Sequence, residues 1–593
     1  SWTGYSKRIL PSFGKRLLTK TKQRILKELG DGEKEIIIRE QIKILEDELK
    51  KMGKTRENPE VVKYRKKAQE SSLPPHAQKE FEEELDRFAQ AHPQDPTNQY
   101  RRAWLDLVVS LPWNKSTEDR KDLREAEKIL EEDHYGLEEV KRRIIEFLAV
   151  KQLNPKSKGS ILCFIGPPGT GKTSVGKSIA RALGRKFTRI SLGGAKDERQ
   201  IRGFEKTYVG AIPGIIIQEL KRLGVNNPVF MIDEIDKVGA EWRGDPTSAL
   251  LEVLDPEQNH SFRDHYLGIP FDLSKIFFIC TGNVAYSIQP ALRDRMEIIE
   301  FPGYTSEEKL IIAKKFLIPK VLEANGLKTD HVLFRDEAIK QIIKNYTLEA
   351  GVRNLERMIE KCIRKVAISV VKGKNRREII TGKKLIKFLG PPYYLPTLKE
   401  KINRPGIAIG LAWTPYGGKL IFIETEVIGS SQRQLEITGN VEKIMAESIK
   451  IALTYLEANA STFKIPKNLI SGKTKIHVHI PEAAIPKDGP SAGLAILISL
   501  ISFLTQRKVK EDVAISGEIT LRGKILPVGG INEKLLAAKE NGIKTVILPI
   551  GNKKDEIAFY KSIKEALKRG DLQIIYLSDI KEAIEIALDN PSN

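Results

Sequence analysis

Apolar residues near the start of the chain follow the period of an amphipathic helix. They recur at gaps near three and four, with charged residues between them, at Ile36, Ile37, Ile38, Ile42, Leu45 and Leu49. Prolines at 74–75 and again at 93 and 96 interrupt the pattern. We therefore predict long charged helices from residue 28 to about residue 90, arranged as an extended arm or coiled-coil neck.

Three short apolar runs in the middle of the chain end in polar or glycine residues, which is typical of buried parallel strands. The runs are Ser160 to Ile165, Val229 to Ile232 and Ile276 to Cys280. We predict that they form strands of one mostly parallel sheet. Residues 310–390 have helical periodicity and no strong strand signal, so we expect this part of the chain to be predominantly helical.

The texture changes again after Gly390 to Tyr394, a proline-rich stretch that we interpret as a linker. The segment Ile476 to Ile480 alternates apolar and polar residues, as a strand with one buried face does. The longest apolar run, Ala492 to Leu504, is too short to cross a bilayer and predicts a buried helix. We therefore expect no membrane insertion.

Length and composition set wider limits. A chain of 593 residues suggests roughly four domains. Its formal charge of +21 favours acidic partners such as nucleic acid, although a lysine-rich surface explains it equally simply. The three scattered cysteines argue against a disulfide scaffold or a zinc cage and favour a reducing compartment. Residues 1–27 hold eight Lys or Arg and no acid, and the chain begins with Ser, so we expect a fragment or a processed form.

A phosphate-binding loop follows the first predicted strand. It has the spacing G-x-x-x-x-G-K-[ST] and consists of Gly166, Pro167, Pro168, Gly169, Thr170, Gly171, Lys172 and Thr173. The glycines let backbone N–H groups face phosphate oxygens, and the next helix adds its positive N-terminal end. Lys172 can reach the β- and γ-phosphates, and Thr173 can bind Mg²⁺. The loop therefore predicts ATP and Mg²⁺ as cofactors.

The ends of the other two strands carry groups that suit nucleotide hydrolysis. Asp233 would hold the Mg²⁺ shell and Glu234 would orient the attacking water. Asn283 could also position water, although asparagine often only caps a helix. Candidates to stabilise the γ-phosphate in the transition state are three arginines, Arg293, Arg295 and Arg353.

Ser491 lies where a tight turn enters a helix, after Asp488-Gly489-Pro490 and before Ala492-Gly493. A serine there could be a nucleophile beside backbone donors for an oxyanion, or simply an N-cap. The last 200 residues offer only His477 and His479, which lie two apart on one strand, so no triad is evident. A desolvated lysine is the alternative base, and sequence alone leaves open the choice among Lys487, Lys524, Lys534 and Lys539.

Seven ordered motifs together resemble a known family. They are GPPGTGKT, FMIDEIDK, GDPTSALLEVLDPEQN, LRDRMEII, EAGVRNLER, PKDGPSAG and GEITLRGKILPVGGINEK. The chain resembles the A-type Lon ATP-dependent proteases, which join an AAA+ module to a Ser–Lys peptidase, over about residues 28 to 590. The resemblance implies a multidomain fold of α/β and α+β parts. It divides the chain into a helical neck at 1–118, an AAA+ α/β domain at 119–309, a helical lid at 310–390 and an α+β Ser–Lys protease domain at 391–593.

The resemblance also assigns roles to single residues. It makes Ser491 the nucleophile and Lys534 the general base, with Walker A roles for Lys172 and Thr173 and Walker B roles for Asp233 and Glu234. The remaining assignments are Asn283 as sensor 1, Arg295 as the arginine finger, Arg353 as sensor 2, Tyr208 and Val209 as an aromatic pore loop, and Trp242 as the tip of a second pore loop. Local packing is the alternative for both aromatic residues.

As the resemblance implies, we expect an ATP-dependent serine endopeptidase that unfolds, translocates and degrades misfolded, damaged or regulatory proteins. It would be a homo-oligomeric ring, a hexamer, in the bacterial cytoplasm, with the mitochondrial matrix as the alternative. Three features depart from the family pattern. We expect this chain to begin in the helical neck, without the family's N-terminal β-rich domain. Ala483 and Ile485 replace the Gly and Thr of many members, and Ser516 replaces a Thr. The Ser516 hydroxyl can still bond Lys534.

Two other functions remain open at this stage. One is an AAA+ remodeller with an inactive C-terminal domain, and the other is a motor acting on nucleic acid. For non-specific DNA contact, the candidate surface is a basic run in the lid, which could equally be a solvated face. It consists of Lys372, Lys374, Arg376, Arg377, Lys383, Lys384 and Lys387.

Overall fold

The computed structural model describes residues 40, 44, 58–91, 95, 97–154, 161–193, 197–206, 208, 210–238, 245–373, 376–393, 404–414, 417–481 and 488–590. The apolar pattern from Ile36 to Leu49 lies outside these ranges apart from residues 40 and 44. Three helices then follow, α1 (Pro59–Ser71), α2 (Pro75–Gln90) and α3 (Thr97–Ser110). Pro75 acts as predicted, since it opens α2 at a position where a helix has no use for an N–H. Pro93 and Pro96 lie outside the described residues.

The next part of the chain alternates helices and strands. Its elements, which begin after a loop, are α4 (Leu123–Asp133), α5 (Glu138–Leu153), β1 (Ile161–Ile165), α6 (Lys172–Leu183), β2 (Phe187–Ser191), α7 (Arg199–Arg202), α8 (Ile215–Leu223), β3 (Val229–Asp233), α9 (Pro246–Leu254), β4 (Phe262–Arg263), β5 (Pro270–Phe271), β6 (Phe277–Gly282), α10 (Pro290–Arg293) and β7 (Met296–Glu300). Short 3₁₀ turns lie at Ile235–Lys237, Asn259–Ser261 and Ala285–Ser287.

Five of these strands form one parallel sheet in the order β2-β3-β6-β1-β7. The three predicted strands are confirmed as β1, β3 and β6, and they are its central members. Their residues are buried because helices such as α4, α5 and α6 cover the sheet with apolar side chains. The carboxyl ends of β1, β3 and β6 therefore lie side by side at one edge of the sheet. The glycine loop follows β1, Asp233 ends β3 and Asn283 follows β6 at this edge.

The lid contains α11 (Ser306–Ile312), α12 (Ile318–Ala324), β8 (Val332–Phe334), α13 (Asp336–Gln341), α14 (Arg353–Val371), β9 (Glu378–Ile380) and α15 (Gly382–Leu389), with π-helical turns at Ala313–Leu317 and Ile342–Tyr346. The predominantly helical lid is confirmed, and it also contains one short strand pair that was not predicted, because β8 and β9 pair in parallel. Each has only three residues, too few to give a periodic signal. Val332, Phe334 and Ile380 are buried in the lid core, and that burial holds the pair.

The C-terminal part is built on a mixed sheet. Its elements are β10 (Ile407–Thr414), β11 (Gly417–Gly429), β12 (Gln434–Thr438), α16 (Lys443–Ala458), α17 (Lys467–Ser471), β13 (Thr474–His479), α18 (Gly493–Thr505), β14 (Val513–Ile515), β15 (Glu518–Ile519), β16 (Ile525–Leu526), α19 (Ile531–Glu540), β17 (Thr545–Pro549), α20 (Lys561–Arg569), β18 (Gln573–Leu577) and α21 (Ile580–Ala587), with 3₁₀ turns at Pro490–Ala492 and Ile550–Ala558. The predicted strand at 476–480 and the buried helix at 492–504 are confirmed as β13 and α18.

Seven strands form this mixed sheet in the order β12-β13-β11-β10-β14-β17-β18. Strand β11 runs antiparallel to both β10 and β13, while the pairs from β10 through β18 are parallel. Helices α16 and α18 contribute to one apolar core, and α19 and α20 contribute to another. Helix α18 is apolar all round and buried because it contacts β10 and β11 on one side and helices α16 and α21 on others.

Two compact units are distinguished by their internal contacts. One comprises residues 1–116, 199–226 and 260–273, and so unites α1 to α3 with α7, α8, β4 and β5. The other comprises residues 117–198, 227–259 and 274–593. The domain boundaries at 118, 309 and 390 stay a prediction.

Within the second unit, the lid contacts α19 directly. The backbone N–H of Ser306, which opens α11, donates to Glu540 at the end of α19 over 3.3 Å. Lys539 forms an ion pair with Glu307 at 3.6 Å. The last turn of α19 is therefore attached to the first turn of a lid helix. Among the described residues, no helix is both long and apolar enough to span a membrane.

Candidate functional site

The loop after β1 has a backbone shape that depends on glycine. Gly166, Gly169 and Gly171 have φ angles of +157°, +81° and +95°. A Cβ on Gly169 would lie 2.9 Å from the backbone nitrogen of Arg353, and one on Gly166 would lie 2.3 Å from the carbonyl of Phe301. These positions allow no side chain, so the loop keeps the open cradle that phosphate groups require.

Lys172 and Thr173 begin α6 at the mouth of this cradle. Lys172 Nζ donates to the carbonyl of Pro167 over 3.0 Å. Burial lowers the pKa of Lys172 to about 8, against the opposing effect of the Asp233 carboxylate. An anionic phosphate would favour the charged amine. The Thr173 hydroxyl and the Asp233 carboxylate are hard oxygen donors of the kind that Mg²⁺ prefers, so the residues present fit ATP with Mg²⁺.

Asp233 ends β3, and its carboxylate is already held by neighbouring strands. It forms an ion pair with Arg189 of β2 and accepts a bond from the hydroxyl of Thr281 of β6. Tyr304 supports the loop from the other side, since its hydroxyl donates to the carbonyl of Thr170 over 2.8 Å. Sequence reasoning missed Arg189 and Thr281, because only the parallel pairing of strands brings them to this edge. It also missed Tyr304, which lies between β7 and α11 and whose backbone N–H donates to the Ala350 carbonyl.

Glu234 follows in a left-handed conformation with φ of +60°, which is uncommon for a residue with a side chain and typical of functional positions. Its carboxylate accepts a bond from Ser191 Oγ at 3.0 Å and pairs with Lys237. The bond from Lys237 is the main reason that the pKa of Glu234 is lowered. The group is therefore held ionised at the carboxyl end of β3.

Asn283 is placed by a residue that sequence reasoning also missed. Asp236 accepts the backbone N–H of Asn283 at 2.9 Å and that of Val284 at 3.3 Å. The other oxygen of Asp236 is buried and has no hydrogen-bond partner among the described residues. Asp236 thus fixes the end of β6 against the turn that follows Glu234. The structure brings Asn283 to the same edge as Asp233, as the strand order requires.

The arginine candidates separate in the structure. Arg353 opens α14 beside the glycine loop, where Val352 N–H donates to the Gly169 carbonyl over 3.1 Å. Arg295 instead donates from Nε to the buried carboxylate of Asp255 at 2.9 Å. Arg293, the third candidate, ends α10. Arg353 is therefore the one whose backbone adjoins the phosphate loop within its own chain.

A second cluster surrounds Ser491. Gly489, with φ of +107°, turns the chain into a 3₁₀ turn that carries Ser491 and continues directly into α18. The carbonyl of Ser491 accepts the backbone N–H of Gly517 at 2.9 Å. It also lies 3.4 Å from the hydroxyl of Ser516, which donates to it. The predicted position of Ser491 at the entry to a helix is confirmed.

Lys534 lies in the first turn of α19 and is almost completely buried, with 2% of its surface exposed. Its ammonium donates to Ser516 Oγ over 3.1 Å, and among the described residues no hydrogen bond links it to Ser491 directly. Ser516 therefore contacts both members of the predicted pair. Burial lowers the pKa of Lys534 to about 8, while the neighbouring Glu533 carboxylate acts in the opposite direction.

Burial also distinguishes Lys534 from the other candidate bases. Lys524 is exposed, and Lys539 is bound in its ion pair with Glu307. Lys487 lies outside the described residues. The two histidines are engaged elsewhere, since His477 and His479 both bond the hydroxyl of Thr438, at 2.9 and 2.7 Å. Neither is bonded to Ser491.

The predicted pore residues are described only in part. Tyr208 lies in the loop between α7 and α8 and has 66% of its surface exposed. The loop is closed by bonds from Tyr208 N–H to the Glu205 carbonyl and from Ala211 N–H to the Tyr208 carbonyl, both 3.1 Å. Val209 and Trp242 lie outside the described residues. An exposed aromatic side chain held on a short loop argues against local packing as the role of Tyr208.

Comparisons with known proteins cover nearly the whole chain. Residues 162–304 match the ATPase family associated with various cellular activities (AAA), and residues 323–379 match the Lon protease AAA+ ATPase lid domain. Residues 379–590 match the Lon protease (S16) C-terminal proteolytic domain. Similar relatives include the Lon protease of Syntrophus aciditrophicus, 50% identical over 96% of this chain and 71% of its own length. The Lon protease of Desulfosudis oleivorans is 49% identical over 97% of this chain and 69% of its own length. That of Dictyoglomus thermophilum is 49% identical over 96% of this chain and 71% of its own length.

Proposed function

Because this chain belongs to the Lon protease family, whose members join an AAA ATPase to an S16 protease, we propose that Ser491 and Lys534 form its peptidase dyad. The chain is an ATP-dependent protease that acts on protein substrates as an oligomer. One observation carries the assignment of the dyad. The buried amine of Lys534 bonds Ser516, and Ser516 in turn contacts the backbone of Ser491.

The dry surroundings of Lys534 explain how an amine can act as a base near neutral pH. A lysine with its ordinary pKa is almost entirely charged there and has no lone pair to accept a proton. Burial of Lys534 lowers that pKa to about 8, so a useful fraction of the amine is neutral. The bond to Ser516 Oγ fixes where the amine points.

The reaction then balances as an acyl transfer. Lys534 takes the proton of the Ser491 hydroxyl as Ser491 Oγ bonds the carbonyl carbon of the peptide. The backbone N–H groups at the start of the turn face the developing oxyanion, because the first N–H groups of a helix have no intrahelical partners. The C–N bond breaks as Lys534 returns its proton to the leaving amine, and water then releases the product from Ser491.

The edge of the parallel sheet would bind and hydrolyse ATP. Lys172 and the glycine cradle would hold the phosphates, and Thr173 with Asp233 would hold Mg²⁺. The metal, when bound, neutralises charge on the β- and γ-phosphate oxygens. The ionised Glu234 would orient the attacking water, assisted by Asn283.

Assembly would complete the motor. In this proposal Arg353 senses the nucleotide from its own lid, whereas Arg295 reaches the nucleotide of a neighbouring subunit in a hexameric ring. If Arg295 of one subunit acts at the ATP site of its neighbour, each ATP site is incomplete in a monomer. ATP hydrolysis therefore depends on assembly of the ring. Tyr208, together with Val209 and Trp242, would grip an unfolded chain and move it toward Ser491.

The proposal extends to the cellular compartment of this protein and to its contact with DNA. The relatives named above are bacterial, and we place this protein in the bacterial cytoplasm. We also propose non-specific DNA contact through the basic run of the lid, because Lys372, Arg376, Arg377, Lys383 and Lys387 are exposed. Of the other two members, Lys384 is half-buried and pairs with Glu378, and Lys374 lies outside the described residues. Filter binding of DNA at two salt concentrations tests this proposal. The affinity for DNA should fall steeply as the salt concentration rises, because contacts to phosphate are screened. Protease activity measured without DNA is the control.

A pair of variants separates the peptidase from the motor. Ser491→Ala is expected to abolish degradation of casein and leave ATP hydrolysis intact. Glu234→Gln is expected to abolish ATP hydrolysis and protein degradation, while a short peptide that needs no unfolding is still cleaved. Casein cleavage by Ser491→Ala would show that another residue is the nucleophile.

A further inference from the structure

A buried acid lies on helix α2, at a distance in sequence from every residue discussed so far. Glu84 has only 6% of its surface exposed. Its carboxylate is surrounded by three cations, with Arg87 at 3.3 Å, Arg101 at 3.4 Å and Lys206 at 3.2 Å. The two arginines belong to α2 and α3, but Lys206 comes from the loop that carries Tyr208. The acid therefore links the N-terminal helices to that loop.

Lys206 makes a second contact with the same helices. Its ammonium lies 4.5 Å from the centre of the Trp104 ring, within the range of a cation–π interaction. Trp104 is buried on α3, and its indole N–H donates to the carbonyl of Leu267 at 2.9 Å. The bond to Leu267 thus fixes the orientation of the Trp104 ring. Lys206 is held between an acid and an aromatic face, two residues before Tyr208.

The two ends of the loop are fixed by another buried acid. Asp264 is fully buried and accepts the backbone N–H of Gly214, where α8 begins, over 2.6 Å. At the other end, Gly203 lies so close that a Cβ there would be 2.7 Å from the Asp264 oxygens. A bond from Phe204 N–H to the Ile212 carbonyl, 3.1 Å long, closes the neck of the loop. All of these residues belong to one compact unit.

From this arrangement we infer that Glu84, Trp104 and Lys206 are positioning residues that brace the Tyr208 loop against the pull of a substrate polypeptide. The inference rests on the proposed role of Tyr208 as a residue that grips the chain. A loop fixed only at its neck would hinge when its tip is pulled. A charged side chain near the tip, bonded to two other helices, resists that rotation and keeps each movement of the loop coupled to the substrate.

The test compares single and double variants of the full-length oligomer. Lys206→Met removes the charge but retains an apolar stem against Trp104, and Glu84→Gln removes the other charge. Lys221→Met is the matched control, because Lys221 is an exposed lysine of α8 in the same unit. The measurements are the rate of degradation of a stably folded protein, the ATP consumed per molecule degraded, and the cleavage of a short peptide.

We expect Lys206→Met and Glu84→Gln each to slow degradation of the folded protein by about fivefold and to raise the ATP consumed per molecule. The double variant should degrade the folded protein about as slowly as the single variants do, because each single variant already removes the Glu84–Lys206 pair. Short-peptide cleavage should not change in either single variant, and thermal melting should not change in Lys206→Met or in the Lys221→Met control. Glu84→Gln also loses its pairs with Arg87 and Arg101, so its melting temperature should fall. Lys206→Arg should recover most of the activity, since it retains charge and stacking on Trp104.

Tyr208→Ala distinguishes the ways in which the inference can fail. If Tyr208→Ala stops degradation but Lys206→Met degrades the folded protein at the normal rate, the brace is refuted and the gripping role stands. If Tyr208→Ala degrades normally, the gripping role fails and the brace fails with it. A fall in melting temperature or in peptide cleavage for Lys206→Met, or no recovery with Lys206→Arg, would show an ordinary structural role and overturn the inference.

Discussion

The acid beside the proposed catalytic lysine offers a direct test of how that lysine works. Glu533 precedes Lys534 on α19 and raises its pKa, in opposition to the larger effect of burial. Glu533 also accepts a bond from the hydroxyl of Tyr560 at 2.9 Å. Glu533→Gln removes the negative charge and keeps an oxygen for Tyr560. The substitution therefore changes the electrostatics of Lys534 with little change in packing.

The magnitude follows from the pKa. With a pKa of about 8, roughly one Lys534 amine in eleven is neutral at pH 7, against about one in three thousand for an ordinary pKa of 10.5. Burial thus supplies about 300 times more free base, equivalent to about 3 kcal/mol. Without the Glu533 charge, the pKa of Lys534 falls below about 8. The gain in neutral amine at pH 7 cannot exceed about elevenfold, because the amine is then fully neutral.

The assay is the pH dependence of kcat/KM for a short fluorogenic peptide, with ATP held at saturation. For the unsubstituted protein, activity should rise as pH increases through about 8, because the base works in its neutral form. For Glu533→Gln, the midpoint of that rise should lie at lower pH. Tyr560→Phe is the matched control, since it removes the hydrogen bond to Glu533 and leaves the negative charge of Glu533 in place.

Three results would refute this reasoning. A profile that is flat between about pH 7 and 9 would mean that no group with the pKa assigned to Lys534 limits the reaction. A midpoint that moves upward in Glu533→Gln would have the wrong sign for loss of a negative neighbour. A shift of the same size in Tyr560→Phe would attribute the effect to packing.

Three further substitutions test other parts of the structure. Ser516→Ala removes the hydroxyl that bonds Lys534, the proposed catalytic base, and should lower kcat for peptide cleavage about tenfold. Ser516→Thr should cleave the peptide at a near-normal rate, and ATP hydrolysis should be unaffected in both variants. Gly418→Ala places a Cβ 1.9 Å from the Glu533 carbonyl. Urea unfolding of the protease domain should therefore show a free energy of unfolding that is lower by about 1–3 kcal/mol. An unchanged unfolding curve would contradict the contact. Arg295→Ala leaves the buried carboxylate of Asp255 without its cation. The variant should lose ATP hydrolysis and about 1–3 kcal/mol of the free energy of unfolding. Arg295→Lys should also lose ATP hydrolysis but retain most of the free energy of unfolding.

The parts of the fold that could be predicted have local causes. The strands that lead to the glycine loop and to Asp233 are short apolar runs bounded by turn residues, and both properties can be read within ten positions of sequence. The glycine loop is equally local, because its chemistry depends on backbone angles at fixed spacing. The strand pair β8 and β9 was missed, since three residues carry no period and only burial in the lid core selects them.

The candidate site shows the same division. Sequence spacing brought Ser491 to a helix entry, but it could not choose among four lysines, because the property that matters is the burial of Lys534 by distant parts of the chain. The resemblance to a family proposes Lys534, and its burial in the structure supports that proposal. Asp236 and Glu84 gave no signal at all, since an acid that holds a distant backbone or lysine has the same local pattern as a solvated one.

The attachment of α19 to the lid has a mechanical consequence. Lys534 lies six residues before Glu540, which receives the bond from the lid, and that spacing is about 9 Å along the helix axis. A ten-residue helix packed on both sides behaves as a stiff lever. Tilting its far end by about 10° swings the amine by about 1.5 Å, a displacement of the size that separates an effective proton acceptor from an idle one.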